Sequence, residues 1–140
     1  MRKFLTPFNI NKYDAISAYN SLDEIDWTIR TKMKVGDEVY FYCSNPIQKV
    51  LMKGVVTKAE VTFDEMIDDS KFYKNEKDVK VDNGRNYIRI KILNIYSKDK
   101  SDLLTFEYLK DNGLKGYIQS AQMLDKNKEL YDYINKVDNM

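Results

Sequence analysis

The stretch that decides the fold is VGDEVYFYCSNP, residues 35–46. Gly36-Asp37 has the chemistry of a turn, and most of the next six residues are β-branched or aromatic, which favours a strand. Side chains alternate along a strand and divide here into two faces, Val39, Phe41 and Cys43 on one and Tyr40, Tyr42 and Ser44 on the other. Ser44-Asn45-Pro46 then ends the strand. The stretch predicts a central strand, Glu38 to Cys43, with rings on both of its faces.

Three further segments have strand character. Gln48 to Val61 follows after a loop too short for a parallel crossover, and Gly54 in its middle marks a bulge or bend of the kind that barrel corners need. Tyr87 to Tyr96 alternates polar and isoleucine positions, which predicts a half-buried strand. Arg2 to Leu5 predicts a short first strand that is closed by Pro7.

Three helices are expected around these strands. Apolar residues recur at helical spacing from Lys12 to Leu22, with Asn11 as the cap, and again from Lys128 to Val137. Thr105 to Asn112 predicts a shorter helix, since an Asn-Gly pair and a leucine follow as a stop. Asp23 to Lys32, which carries the only tryptophan, is expected to be a connecting segment.

Residues 63–86, called the excursion below, differ in character from the rest of the chain. They are rich in Asp and Lys, lack periodicity and contain the turn sequence Asp82-Asn83-Gly84. A long charged loop of this kind in a compact domain is expected to be a functional lid or to be mobile. The remaining elements predict one α+β domain over residues 1–140, a small mixed β-barrel flanked by helices.

Length and composition limit the classes of function. A chain of 140 residues has the size of one domain, and 43% apolar residues suffice for one core. The formal charge of +1 argues against binding of nucleic acid by bulk electrostatics, although a local basic rim around a pocket is compatible with it. A single cysteine forms no internal disulfide, and no segment has the character of a signal peptide or a membrane span. We expect a cytoplasmic protein without membrane contact.

The side chains of the common catalytic sites are missing. There is no histidine, which removes the usual activation of serine and cysteine nucleophiles and the commonest metal ligand. One cysteine cannot build a thiolate zinc site, and no glycine-rich phosphate loop is present. Asp64-Glu65 and Asp68-Asp69 are expected to be solvated surface charge, and Cys43 a small buried residue. We predict a binding module that is not an enzyme and has no cofactor or metal; catalysis through carboxylates or tyrosine is the weakest alternative.

What remains is a group of aromatic and short polar residues: Trp27, Tyr40, Tyr42, Ser44 and Asn45. Rings offer faces for stacking and short polar side chains offer hydrogen bonds, as a pocket for a flat heterocycle requires. The alternative is that these rings only fill the core. The residues by themselves leave both interpretations open.

Several motifs together resemble the EVE domain of the PUA-like superfamily. They are Ile25-Asp26-Trp27, VGDEVYFYCSNP at residues 35–46, LKDNGLKG at residues 109–116, and Ile118-Gln119. The order and spacing of the motifs are similar to those of the bacterial branch of that family. The chain departs from the pattern at Gln119-Ser120-Ala121, where relatives tend to have glutamine-glycine-proline.

The resemblance implies a PUA-like β-barrel that recognises a modified nucleobase, above all a modified cytosine in DNA, by flipping it into an aromatic cage. Transferred by position, Trp27 and Tyr42 would be cage walls, while Ser44, Asn45 and Gln119 would contact the edge of the base. Members of this branch are often fused to a nuclease and act in restriction or defence against modified phage DNA. For this chain the resemblance therefore implies two partners, nucleic acid with a modified base and a separate nuclease or effector protein.

Four basic residues near the motifs are candidates for contacts with the nucleic-acid backbone: Arg30, Lys32, Lys49 and Lys53. The alternative for them is ordinary solvated surface. A second hypothesis for the whole chain is a non-catalytic protein-interaction or regulatory subunit that retains the PUA-like fold and uses the excursion and an aromatic surface for a partner. The two hypotheses differ in whether a concave pocket contains Trp27 and Tyr42.

Overall fold

The computed structural model describes residues 1–140 and contains one mixed sheet of six strands with α-helices on both faces. The strands are β1 Lys3–Phe8, β2 Glu24–Trp27, β3 Glu38–Cys43, β4 Lys49–Val61, β5 Tyr87–Ile95 and β6 Gln122–Met123. The helices are α1 Ala15–Leu22, α2 Lys98–Ser101, α3 Phe106–Asp111 and α4 Lys128–Asp138. The strand order is β2-β5-β4-β3-β1-β6, and every neighbouring pair is antiparallel except β1 and β3.

The central strand β3 separates two hydrophobic cores. The first core, which includes Val39, Phe41 and Cys43, packs against α1. The second core, which includes Tyr40 and Tyr42, packs against α3 and α4. All five side chains are buried, so the sequence-based prediction of a central strand with rings on both faces is confirmed.

The sheet curls strongly around the first core. Trp27 on β2 and Phe41 on β3 lie three strand positions apart, which would separate them by about 14 Å in a flat sheet. Their ring centroids are only 4.6 Å apart. Gly54 contributes to the curvature, because the β4–β5 register shifts next to it and a Cβ there would lie 2.5 Å from Cγ2 of Ile90. The expected α+β fold, a small mixed barrel-like sheet flanked by helices, is the fold that the chain adopts.

The first strand is longer than the sequence indicates. Pro7 was expected to close it, yet β1 continues through Pro7, which pairs with Tyr42 of β3. A proline disrupts a sheet only where its missing N–H is needed. On its other side β1 pairs with β6 only at Phe4 and Leu5, so no strand lies beside Pro7 there. The short β6 thus explains the error.

Two other boundaries also differ from expectation. The segment expected to be a connection contains β2, which pairs antiparallel with β5; four residues are too few for alternation to stand out in sequence. Helix α1 begins at Ala15 rather than near Lys12, because the Asp14 side chain, not Asn11, accepts the hydrogen bond from the Ser17 amide, at 3.2 Å. The predictions of α3 with its Thr105 cap and of α4 are confirmed. No helix has the length and apolar character needed to cross a bilayer.

The excursion is packed onto the body of the protein. It contains three single-turn 3₁₀ helices, Phe63–Glu65, Ser70–Phe72 and Glu76–Asp78. Its first part is anchored by Asp26 of β2, whose carboxylate accepts from the Ile67 amide at 2.8 Å. The excursion therefore brings its side chains against the open side of the first core, next to Trp27.

Candidate functional site

A cavity of about 480 Å³ lies beside Trp27. Its aromatic walls come from Phe8, Tyr13, Trp27 and Tyr73, and its polar lining includes Asn9, Lys12 and Lys80. The walls thus belong to β1, to the segment before α1, to β2 and to the excursion. Four aromatic rings with a few polar groups at the edge are the arrangement that a flat heterocycle requires.

The Trp27 indole is held in one orientation. Its Nε1–H donates to the Tyr19 hydroxyl at 2.7 Å, and that hydroxyl donates to the carbonyl of Ile90 at 3.0 Å. One face of the indole stacks on Phe41 at a centroid distance of 4.6 Å. Trp27 is half-buried and packs against the first core, so it contacts that core on one side and lines the cavity on the other.

The excursion completes the other wall through Asp69. The Tyr13 and Tyr73 rings lie 4.6 Å apart. The buried Asp69 carboxylate accepts from the Tyr13 hydroxyl at 2.8 Å and from Lys80 Nζ at 2.7 Å. Burial, and then the charge of Asp69, raise the pKa of Tyr13 far above its ordinary value. Tyr13 consequently remains a neutral hydrogen-bond donor at any physiological pH.

Tyr42 does not line this cavity, which corrects the expectation that it faces Trp27. Tyr42 is 4% exposed and lies in the second core, on the opposite face of β3 from Phe41. The reason is the alternation of side chains along a strand, which sends neighbouring residues to opposite faces. The wall expected from Tyr42 is supplied by Tyr13 and Tyr73.

Ser44 and Asn45 also lie outside the cavity beside Trp27. The Ser44 hydroxyl donates to the carbonyl of Phe8 at 3.0 Å, which fastens the end of β3 to the end of β1. Asn45 is exposed in the turn that follows. These two residues shape the backbone next to Phe8 rather than line the cavity.

Gln119 was expected to contact the edge of the base, but it does not line the cavity beside Trp27. It borders a smaller cleft of about 250 Å³ between β1 and the segment that follows β2. Arg30 and Thr28 line the same cleft, and Thr28 also lines the cavity beside Trp27. The structure therefore brings Gln119 near Arg30, and Thr28 is the point where this cleft and the aromatic cavity adjoin.

Arg30 and Lys32 belong to a basic surface that adjoins the aromatic cavity. Both are exposed and neither has an acidic partner. They line a cleft of about 760 Å³ to which Lys34 and one acidic residue, Glu60, also contribute, and Arg30 lines a further cleft with Arg85. We call Arg30, Lys32, Lys34 and Arg85 the basic rim.

Lys49 and Lys53 do not belong to the basic rim, which corrects the expectation for them. Lys49 forms an ion pair with Asp102. Lys53 is 15% exposed and pairs with Asp138 at 2.7 Å and with Glu38 at 3.4 Å, against the second core. Their charges are already neutralised by carboxylates, so contact with a phosphate would require these pairs to break.

Sequence reasoning missed Tyr13, Tyr73 and Lys80 as lining residues. Tyr73 and Lys80 lie in a charged stretch without periodicity, and Tyr13 precedes a helix that begins later than expected. The only signal in the sequence was the presence of tyrosines among charged residues. No three His, Cys, Asp or Glu side chains converge as a metal site would need. Cys43 is fully buried, which confirms the expectation of a small buried residue, and this burial raises the pKa of its thiol.

Sequence comparison finds no match, either to a protein-family model or to a curated protein. Comparison with solved structures finds several similar proteins. A protein from Pseudomonas putida is 19% identical with a TM-score of 0.63, over 96% of this chain and 98% of that one. A protein from Pseudomonas syringae is 20% identical with a TM-score of 0.64, over the same shares of the two chains.

The human THYN1 protein is also similar in structure. It is 15% identical with a TM-score of 0.62, over 100% of this chain and 99% of THYN1, and its structure was solved in complex with 5-methylcytosine-containing DNA. These similarities extend over nearly the whole chain. They show that this chain shares its fold with these proteins, and this is the PUA-like fold that the sequence motifs indicated.

Proposed function

We propose that this protein is a nucleic-acid-binding module that takes a modified base, a modified cytosine in DNA, into the aromatic cavity beside Trp27. The basic rim would hold the phosphates on either side of the flipped nucleotide. In this proposal the chain binds without catalysis, and a separate nuclease or effector protein acts on the DNA in restriction or phage defence.

The observation that carries this proposal is that the aromatic cavity adjoins the basic rim. Thr28 lines both the cavity and the clefts of Arg30 and Arg85. A nucleotide has an aromatic part and an anionic part joined by a sugar, so it needs these two kinds of surface next to each other.

The energetics are compatible with base flipping. Removing a base from the stack costs a few kcal/mol, and stacking on aromatic side chains returns about 1–3 kcal/mol per base. Hydrogen bonds at the edge of the base and phosphate contacts of the basic rim must supply the rest. Because the net charge is only +1, affinity would depend on this local rim rather than on a field from the whole protein.

The ligand class is supported by the fold and by the shape of the cavity. THYN1, whose fold is similar, was crystallised with DNA that contains 5-methylcytosine. A cavity of about 480 Å³ has room for a pyrimidine with an added methyl group. Its wall of four rings gives apolar surroundings for such a group, which is worth about 0.8 kcal/mol per buried carbon.

The proposal is tested by the fluorescence of Trp27, the only tryptophan. Oligonucleotides with one 5-methylcytosine are expected to quench it at lower concentration than the same oligonucleotides with cytosine. Tyr73→Leu should weaken the modified complex, whereas Tyr108→Leu, an exposed tyrosine on α3, should not. Equal quenching by both oligonucleotides that disappears at moderate salt would contradict recognition of the base.

A second candidate function, a protein-interaction or regulatory module, is favoured by one observation. Phe106 and Tyr117 stack in parallel at 5.4 Å on the side of the second core, and Tyr117 is 73% exposed. Tyr108 is exposed on the same helix as Phe106. Exposed aromatic residues are enriched where proteins bind each other. A partner that is lost in Tyr117→Ser but retained in Tyr73→Leu would support this candidate.

A further inference from the structure

Lys80 is an unusual lining residue of the aromatic cavity. Lysine is rarely buried unless it is paired, yet the Lys80 side chain is only 9% exposed. Its ammonium pairs with the buried Asp69 at 2.7 Å. The pair lies in the excursion, which the sequence motifs of the fold do not include.

The ammonium of Lys80 is also surrounded by rings. Its Nζ lies 5.9 Å from the ring centroid of Tyr13, 5.7 Å from that of Tyr73 and 5.9 Å from that of Tyr87. These are distances at which a cation is attracted by an aromatic face. Three rings and one carboxylate therefore hold the charge of Lys80 in one place, at the edge of the cavity.

The ammonium retains unused hydrogen-bonding capacity. A lysine has three N–H donors, and the Lys80 side chain uses one of them, in the bond to Asp69. The Tyr13 hydroxyl is already committed to Asp69. Asp26 also borders the cavity, but its oxygens accept from Arg89 at 2.9 and 3.2 Å and from Ile67. The free capacity at the tyrosine wall therefore includes the two remaining N–H donors of Lys80 and the Tyr73 hydroxyl, which can donate or accept. Of these, only Lys80 is a donor that carries a charge and cannot accept.

We infer that Lys80 is the specificity-determining residue of the cavity, donating a hydrogen bond to an acceptor on the edge of the bound base. For a cytosine these acceptors are O2 and N3, which are adjacent. The inference rests on the proposed function, because it names the group that reads the base in the same site. Stacking accepts any ring, so a fixed donor is what would select one edge.

The first measurement compares variants in the binding of a DNA oligonucleotide with one 5-methylcytosine. Lys80→Met keeps most of the apolar stem and removes the charge and the donors. We expect it to lower affinity about tenfold or more, as for a lost hydrogen bond to a charged group. Lys77→Met, the same change at an exposed lysine of the excursion, should leave affinity unchanged. Lys80→Arg keeps charge and donors and should retain most of the binding.

The second measurement distinguishes a contact with the base from a structural role. Two oligonucleotides replace 5-methylcytosine with a deoxynucleoside analogue that keeps the methyl group and lacks either O2 (a methylated 2-aminopyridine C-deoxynucleoside) or N3 (3-deaza-5-methyl-2′-deoxycytidine). One of the two should bind the wild-type protein more weakly and lose no further affinity in Lys80→Met. Such non-additivity is the mark of a direct interaction.

These outcomes test the role of Lys80 separately from the proposed recognition of a modified base. Additive losses for both analogues would overturn the role of Lys80 while leaving the reader function intact. A wild-type protein that does not prefer 5-methylcytosine would contradict the reader function itself. If Lys80→Met does not fold, because Asp69 is then a buried unpaired carboxylate, the double variant Lys80→Met/Asp69→Asn replaces it. The asparagine can still accept from Tyr13, and the same outcomes apply.

Discussion

The two faces of β3 carry neighbouring aromatic residues that lie in different cores. Phe41 lies in the first core and forms the stacking surface behind Trp27, which lines the open cavity. Tyr42 lies in the second core under the helices α3 and α4. The difference shows that an aromatic motif marks the position of a site only to within one residue, because alternation decides which ring reaches it.

Each face of the sheet also has one carboxylate that binds a tyrosine hydroxyl and a lysine. On the cavity side, Asp69 holds Tyr13 and Lys80 at the edge of an open space. On the other side, Asp138 accepts from the Tyr96 hydroxyl and Lys53, both at 2.7 Å. The chemistry is alike, a carboxylate between a tyrosine and a lysine. What differs is the element that covers each carboxylate. Helix α4, which carries Asp138, packs closely on the second core, whereas the excursion, which carries Asp69, leaves a cavity open next to Tyr13 and Lys80.

The largest expected effect tests the two rings of β3 against each other. Phe41→Ala and Tyr42→Ala should each lower the free energy of unfolding by about 3–5 kcal/mol, because both remove a buried ring. Only Phe41→Ala should change the emission of Trp27 in the folded protein, since only Phe41 stacks on it. Chemical denaturation and native-state emission spectra measure the two quantities. An equal change of emission in Tyr42→Ala would show that the two faces are not separate.

A smaller effect is expected for Asp138. Burial by itself would raise its pKa, but hydrogen bonds from Lys53 and Tyr96 outweigh burial and hold the pKa below its ordinary value of 3.8. The stabilising contribution is therefore complete above pH 3.8 and is lost as the pH falls through the lower folded-state pKa. Asp138→Asn should cost about 1–3 kcal/mol near neutral pH.

The pH dependence identifies the source of that cost. The difference in unfolding free energy between wild type and Asp138→Asn should shrink as the pH falls below 3.8, the ordinary value for the group. Urea denaturation at a series of pH values measures it. If this difference stayed constant to the lowest pH at which the protein is folded, the charge of the Asp138 carboxylate would contribute nothing to the free energy of unfolding.

The smallest effect compares two basic residues in binding. Arg30→Ala should weaken binding of modified DNA a few-fold and reduce the slope of log K against log salt by about one, as for one lost phosphate contact. Lys53→Met should leave that slope unchanged, because Lys53 is paired with Asp138 and Glu38. Titrations at several salt concentrations measure both. A lower slope in Lys53→Met would place the DNA on the second face instead.

Much of the fold was predictable because it depends on local chemistry. The strand character of residues 38–43, the bulge at Gly54 and the helices around Leu109 and Leu130 follow from residue types and spacing within a few positions. The continuation of β1 through Pro7 was not predictable in this way. It depends on how far β6 extends along the neighbouring edge.

The candidate site was only partly predictable. Trp27 was recognised from its motif, and it does line a cavity. Its neighbours Tyr13 and Tyr73 are 60 positions apart in sequence, yet their rings lie 4.6 Å apart. No pattern within either segment indicates this contact, because it arises from the packing of the excursion onto the first core.

Alternation and turn chemistry in the sequence therefore determined the central strand and its two aromatic faces, and the resemblance of the motifs indicated the PUA-like fold. Only the tertiary structure decided which rings form the cavity and which cations remain free beside it. The physical reason is that both depend on long-range partners. Tyr42 is covered by other elements, Lys53 is neutralised by Asp138, and Arg30 is left without a carboxylate. Charge and ring content can be counted in a sequence, but their pairing is a property of the folded chain.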